Sequence, residues 1–178
     1  MARNIEIKAR LPSLTRTLQA IAAIAPGVPE DLWQEDTFFN CNNGRLKLRQ
    51  AGRDKDAGEL IFYVRDNHTG PKESRYSICD VRNAVQLCEL LAVALGVVGR
   101  VCKRRRVFTV GNTRIHVDEV AGLGNFLELE VVLGKTQPRD SGRATAISLM
   151  ERLGIDPSDL VADAYVDLLA PGRRDRSR

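Results

Sequence analysis

Two short stretches near opposite ends of the 178-residue chain carry the side chains with the clearest chemical potential. In Asn4-Ile5-Glu6-Ile7-Lys8-Ala9-Arg10-Leu11 the polar residues Asn4, Glu6, Lys8 and Arg10 alternate with apolar ones, the period of an extended strand. In Phe126-Leu127-Glu128-Leu129-Glu130 two carboxylates sit two residues apart, with leucines on the other face. Either stretch alone fits an ordinary strand with its polar side in water. Brought together, they could hold a divalent cation, which takes hard oxygen ligands and keeps coordination positions for phosphate oxygens.

The elements between them supply cations in the same alternating pattern. A helix is expected from Pro12-Ser13 to Pro26-Gly27, with Leu14, Leu18, Ile21 and Ala25 at helical spacing. Residues 32–40 read as a strand with Gln34, Asp36 and Phe38 on one face, and Asn42-Asn43-Gly44 as a hairpin turn into Arg45-Leu46-Lys47-Leu48-Arg49. Strands follow over 60–65, with Tyr63 and Arg65, and over 72–81, where Lys72, Ser74 and Tyr76 share a face. A helix over 82–95 ends at Gly96. The strand over 97–110 holds Lys103, Arg104, Arg105 and Arg106; the strand over 113–120 sets Arg114, His116 and Asp118 on one face. The last strand covers 125–133, and two short helices are expected over 141–153 and 157–169.

Eight strands, mostly in hairpins, favour a closed antiparallel barrel without exposed edges, and the helices then pack outside it. The fold class is α+β. If Ile5, Ile7, Leu46, Leu48, Ile115, Val117, Leu127 and Leu129 face those helices, their charged neighbours face inward. The lumen would hold the acids Glu6, Asp118, Glu128 and Glu130. Its bases would be Lys8, Arg45, Lys47, Arg49, Arg65, Lys72, Lys103, Arg105 and Arg114. Burying unpaired charges costs several kcal/mol per ion, so such a lumen is wet or occupied. Arginines grip phosphate oxygens through paired donors and lysines act as compact charges. An excess of cations around a carboxylate cluster suits a triphosphate arriving with Mg²⁺ or Mn²⁺.

Composition excludes other classes. A formal net charge of +4 is modest, and no apolar run approaches the roughly 20 residues of a membrane span. Cys41, Cys79, Cys88 and Cys102 lack metal-binding spacing, and the N-terminus lacks a secretory signature. Reduced cysteines and a cytoplasmic location are expected. One domain over 1–170 is expected, with 171–178 a basic tail lacking regular structure. Lys103 to Arg106 could mark a nucleic-acid patch, but aromatic residues for base stacking are only 5% of the chain. No P-loop, dinucleotide glycine pattern or Ser-His-Asp set is present.

These residues, in this order, resemble the CYTH superfamily, the triphosphate tunnel metalloenzymes. The family's opening Glu-x-Glu-x-Lys is matched by Asn4-x-Glu6-x-Lys8. Gln34-x-Asp36-Thr37-Phe38-Phe39, Gly44-Arg45-Leu46-Lys47-Leu48-Arg49, Tyr63-x-Arg65 and Gly70-Pro71-Lys72-x-Ser74 are similar to its middle section. Lys103-x-Arg105, Asp118-Glu119-Val120-x-Gly122-Leu123-Gly124 and Phe126-x-Glu128-Leu129-Glu130 are similar to its closing strands. The resemblance implies an eight-stranded tunnel with the site inside. Glu6 and Glu130 would be the principal metal ligands, supported by Glu128 and Asp118. Lys8, Lys72, Lys103 and Arg105 would be catalytic, and Arg45, Lys47, Arg49, Arg65 and Arg114 would hold the phosphate chain.

The implied activities are a class IV adenylyl cyclase, in which the ribose 3′-hydroxyl of ATP attacks the α-phosphorus, or a triphosphatase acting on thiamine triphosphate, inorganic triphosphate or a nucleotide. No side chain stands out as a general base for either. A tunnel that binds triphosphate without turnover is the rival from another class, and its support is Asn4, which replaces the family's first glutamate with a neutral amide. That replacement leaves one or two metals open. Some relatives are dimers, though no residue here demonstrates a homodimer.

Overall fold

The computed structural model describes residues 1–52 and 55–170, so the basic tail expected over 171–178 lies outside the described residues. Eight strands alternate as their sequences require: β1 (Ala2–Arg10), β2 (Glu30–Phe39), β3 (Arg45–Ala51), β4 (Gly58–Arg65), β5 (Lys72–Val81), β6 (Val97–Val110), β7 (Thr113–Val120) and β8 (Gly124–Leu133). They close into a barrel in the order β1-β5-β4-β3-β2-β6-β7-β8, every pairing antiparallel. The seam between β8 and β1 pairs Glu6 with Glu130 and Lys8 with Glu128. The first and last strands thereby meet, and the two stretches rich in alternating charge become one wall.

The helices lie outside, on the apolar faces. α1 (Leu14–Ile24) starts where the Ser13 hydroxyl accepts from the Arg16 amide, a side-chain N-cap. With α3 (Arg139–Leu153) it covers β1, β7 and β8. Ile21, Leu149, Met150 and Leu153 pack there against Ile7, Ile115, Val117, Leu127 and Leu129. α2 (Ala84–Leu95) covers Phe39 and Leu48 with Ala84, Leu87 and Leu91. Packing both faces of β7 and β8, helix outside and charge inside, fixes their register, because a slip of one residue would turn leucines into the lumen. No helix among the described residues is long and apolar enough to cross a membrane.

The expected helix over 157–169 is not continuous. A 3₁₀ turn at Pro157–Asp159 is followed by extended chain and then by α4 (Tyr165–Leu169). The extended piece spends its backbone groups on the barrel. The Val161 amide donates to the Lys8 carbonyl at 2.8 Å, Leu160 bridges Ala9, and the Ala162 and Asp163 carbonyls accept from Arg65 and Lys8. Those bonds outcompete a local helix ladder.

The same segment closes one end of the barrel. Lys8 and Arg65 stand at the last turns of β1 and β4, and Lys72 and Arg45 at the first residues of β5 and β3. Tyr165 and Val166 pack on Phe38, Val101, Val120 and Phe126, at the ends of β2, β6, β7 and β8. Strands around the whole circumference therefore touch one short stretch of chain. The opposite end stays open.

Gly142 sits where α3 meets the seam. A Cβ there would lie 2.6 Å from Leu133 Cδ2 and 2.8 Å from Ile5 Cγ1. Helix propensity favours alanine by about 1 kcal/mol, whereas overpacking costs about 1–3 kcal/mol. Gly142→Ala is expected to lose about 1–2 kcal/mol in urea unfolding. A gain in stability would show that α3 is not held against β1 and β8 at this distance.

Candidate functional site

The lumen encloses a cavity of about 390 Å³. Strand alternation delivers Asn4, Glu6 and Lys8 from β1, Gln34, Asp36 and Phe38 from β2, and Lys47 and Arg49 from β3. β4 contributes Tyr63 and Arg65, β6 Lys103 and Arg105, β7 Arg114 and His116, and β8 Glu128 and Glu130. Near the open end the lining is mixed, with the apolar Leu32, Ile61, Ile78 and Val107 beside the carboxylates Glu30 and Glu59.

Three residues expected in the lumen stand behind its surface. Asp118 is wholly buried, its carboxylate accepting from Arg105 Nε and Nη2 at 2.7 and 2.6 Å and from the Tyr165 hydroxyl at 2.9 Å. It orients Arg105 rather than facing the cavity. Lys72 is buried too, donating to the carbonyls of His68 and Val161 at 3.0 and 3.4 Å. Arg45 pairs with Asp167 of α4 at 2.6 Å, at the rim of the closed end. The remaining expected residues, Glu6, Lys8, Lys47, Arg49, Arg65, Lys103, Arg105, Arg114, Glu128 and Glu130, line the cavity.

The cavity has two electrically different walls. On the β1–β7–β8 side are three carboxylates, Glu6, Glu128 and Glu130. Glu128 lies 3.3 Å from Lys8 and accepts from Arg105 at 2.6 Å. Burial works against its ionisation, but Lys8 and Arg105 prevail and hold it well below the usual carboxylate range. Glu130 accepts from Arg114 at 2.8 and 3.1 Å; burial again opposes, and His116 and Arg114 lower it. Glu6, 3.2 Å from Arg65, goes the other way: burial raises it, Arg65 only partly reverses this, and Glu128 and Glu130 add repulsion.

The β2–β3–β6 wall is cationic and is gathered by one acid. Asp36, 2% exposed, accepts from Lys47 at 2.9 Å, Lys103 at 2.7 Å and Arg49 at 2.8 and 3.1 Å. Burial alone would raise this carboxyl; Arg49, Lys103 and Lys47 reverse it and hold it well below the ordinary range. Three cations on one anion leave positive charge for a polyanion. Burial, then repulsion from Arg49, brings the Lys47 ammonium down to about 7. Two of these features are hard to find by residue type. Asp36 reads as one polar residue on a strand face, and its role appears only from the β2 register, opposite Arg49 and two residues beyond Gln34's partner Lys103. His116, which the sequence shows only as sharing a face with Arg114 and Asp118, faces Glu128 across the β7–β8 ladder.

The donor set fits a divalent cation. One ligand atom each from His116, Glu128 and Glu130 lie within 4.8 Å of one another, and the residues stand on rigid paired strands. Oxygen-rich sites of this kind leave positions for water or phosphate.

A family model for the CYTH domain matches residues 2–165. Adenylate cyclase CyaB of Aeromonas hydrophila is 25% identical over 168 residues, 91% of this chain and 86% of that protein. A protein from Pyrococcus horikoshii shares the fold with a TM-score of 0.81 at 20% identity, over 94% of this chain and 99% of its own. A Hippeastrum protein described as having a dominant triphosphatase activity superposes with a TM-score of 0.64 at 15% identity, over 93% of this chain and 94% of its own.

Asp36→Asn is expected to lose about 3–5 kcal/mol at neutral pH, because it strands three buried cations. The sign with pH follows from the depressed carboxyl. Its contribution is full above the ordinary Asp value near 3.8 and fades as pH falls through the lower folded-state value. The wild type should therefore lose stability more steeply than the variant on acidification below about pH 4. A loss under about 1 kcal/mol in urea unfolding would show that Asp36 does not hold that wall together.

Proposed function

The chain belongs to the CYTH domain family, and from that premise we propose a metal-dependent enzyme that takes an organic triphosphate into its tunnel, with ATP cyclisation as the reaction. The observation that carries this reading is the pair of opposed walls: carboxylates on β1 and β8 facing a cationic wall built on Asp36. A polyphosphate chain lying between them meets cations on one side and a carboxylate-held divalent ion on the other. The apolar side chains Leu32, Ile61, Ile78 and Val107 near the open end, interspersed with Glu30 and Glu59, suit an organic group better than bare inorganic triphosphate. The similarity to a relative named as an adenylate cyclase favours cyclisation over hydrolysis.

Glu128 and Glu130 would hold the cation, which when bound acts as a Lewis acid on phosphate oxygens. The chain's own residues do the rest. Lys47, Arg49 and Lys103 bind and orient the phosphates, and Lys8, Arg65 and Arg105 supply positive charge deeper in the tunnel, near α4. Arg114 stands nearer the mouth, on Glu130. In cyclisation the ribose 3′-oxygen bonds to the α-phosphorus, the bond from that phosphorus to the bridging oxygen breaks, and pyrophosphate leaves with the negative charge. Arginines fixed by Asp36 and Asp118 need no reorganisation to stabilise it. Glu6, Glu128 and Glu130 are each engaged by a cation, Arg65, Lys8 and Arg114, so the hydroxyl proton would go to solvent or substrate phosphate. The four free cysteines and the CYTH fold accord with a cytoplasmic protein.

Two measurements test this. Incubation with ATP and Mn²⁺ or Mg²⁺ should yield cyclic AMP and pyrophosphate, reduced at least about a hundredfold in Glu130→Ala. Diphosphate and free phosphate, equally dependent on Glu130, would make the enzyme a triphosphatase. Turnover only in Asn4→Glu would make the native chain a binding tunnel. Separately, Lys47 with its value near 7 should take up a proton when a polyanion binds. At pH 8, calorimetry of a non-hydrolysable triphosphate in buffers of different ionisation enthalpy should report uptake of up to about one proton. In Lys47→Arg that uptake should disappear; if it persists, Lys47 is not the group.

A further inference from the structure

Among the described residues, four buried side-chain atoms have no hydrogen-bond partner: Asn4 Oδ1, Gln34 Oε1, Thr113 Oγ1 and His116 Nδ1. An orphan of this kind costs about 1–3 kcal/mol, so each asks for a reason. His116 is 4% exposed, yet its Nδ1 points between two carboxylates, 3.8 Å from Glu128 Oε2 and 3.8 Å from Glu130 Oε1. Those separations are too long for hydrogen bonds and short enough for three donors to share one ion. The neighbours leave that gap open. Arg114 takes Glu130 Oε2, which turns Oε1 toward the ring. On Glu128, Lys8 lies 3.3 Å from Oε1 while Arg105 donates at 2.6 Å to Oε2, the oxygen nearer the ring, which fixes the carboxylate and leaves Oε2 a second lone pair for the ion. Glu6 and Asp118 stand outside this group of donors, held by Arg65 and by Arg105 with Tyr165.

We propose that His116 is itself a ligand: Nδ1, with one oxygen each of Glu130 and Glu128, forms a mixed nitrogen–oxygen site that takes Mn²⁺ in preference to Mg²⁺. This rests on the metal-dependent reading above and specifies its metal chemistry. Mg²⁺ demands near-octahedral oxygen and gives up water reluctantly, whereas an imidazole nitrogen suits transition metals. The neutral Asn4 at the head of β1 fits the same picture, because the anchoring donors lie on β7 and β8 instead.

The test uses the full chain with Mn²⁺ alone and no triphosphate. Pulsed electron paramagnetic resonance of the Mn²⁺-loaded protein should show hyperfine coupling to a directly bound nitrogen. In wild-type protein grown with nitrogen-15 histidine the coupling should change to that isotope, a readout that needs no variant. His116→Gln should abolish the coupling and weaken Mn²⁺ binding about tenfold or more, with Mg²⁺ binding changed by less than about threefold. Glu6→Gln should keep the coupling. Bound Mn²⁺ without nitrogen coupling, coupling that survives in His116→Gln, or no Mn²⁺ binding would each overturn the proposal. Coupling without turnover of any triphosphate would leave this site standing and sink the catalytic reading. Turnover with Mg²⁺ and no nitrogen coupling would do the reverse.

Discussion

Charge pairing inside a closed barrel is the constraint on which this molecule depends. Alternation sends every second side chain of each strand inward, and here those side chains are mostly ionic. Each ion draws its partner from another strand: Arg65 of β4 meets Glu6 of β1, Arg105 of β6 meets Asp118 and Glu128, and Arg114 of β7 meets Glu130 of β8. Asp36 alone ties β2 to both of its neighbours, β3 and β6. Registers are thereby set twice, by leucines packing under helices and by ions meeting in the lumen. The two demands coincide because both have a period of two.

The same pairing suits the proposed ligand, one that bridges charges of both signs. Cations and anions that merely cancelled everywhere would leave nothing for a substrate. Here the balance is uneven, with Asp36 among three cations on one side and three carboxylates, with Lys8 and Arg114 between them, on the other. A ligand that carries both signs, a polyanion with its divalent ion, matches that asymmetry. Either component alone would find only half of its complement.

How much of this was legible in the sequence depends on the range of the interaction. Strict alternation in 4–11, 45–49 and 126–130 announces strands whose charged faces turn inward, and the closed barrel follows from their number and hairpin spacing. The family resemblance extends from those same residues. What could not be read is what depends on cross-strand register. Asp36 is one acid on a face with Gln34 and Phe38 until Lys103 and Arg49 are known to flank it. Asp118 looks like a lumen ligand until the Tyr165 hydroxyl, 47 residues away, is found against it. The stretch 157–169 has helical content, but the carbonyls of Ala162 and Asp163 answer to arginine and lysine in the barrel rather than to their own amides.

The closing of one barrel end by residues 160–169 has a consequence for traffic. Lys8, Arg65 and Tyr165 form a floor, with the Lys8 ammonium 3.7 Å from the Tyr165 ring centre. A tunnel with a floor is a cul-de-sac. Whatever enters by the mouth must leave by it, so in the proposed cyclisation the two products would depart in single file, the outer one first. A fragment lodged against the floor would hold back the next round for as long as the inner cations keep it.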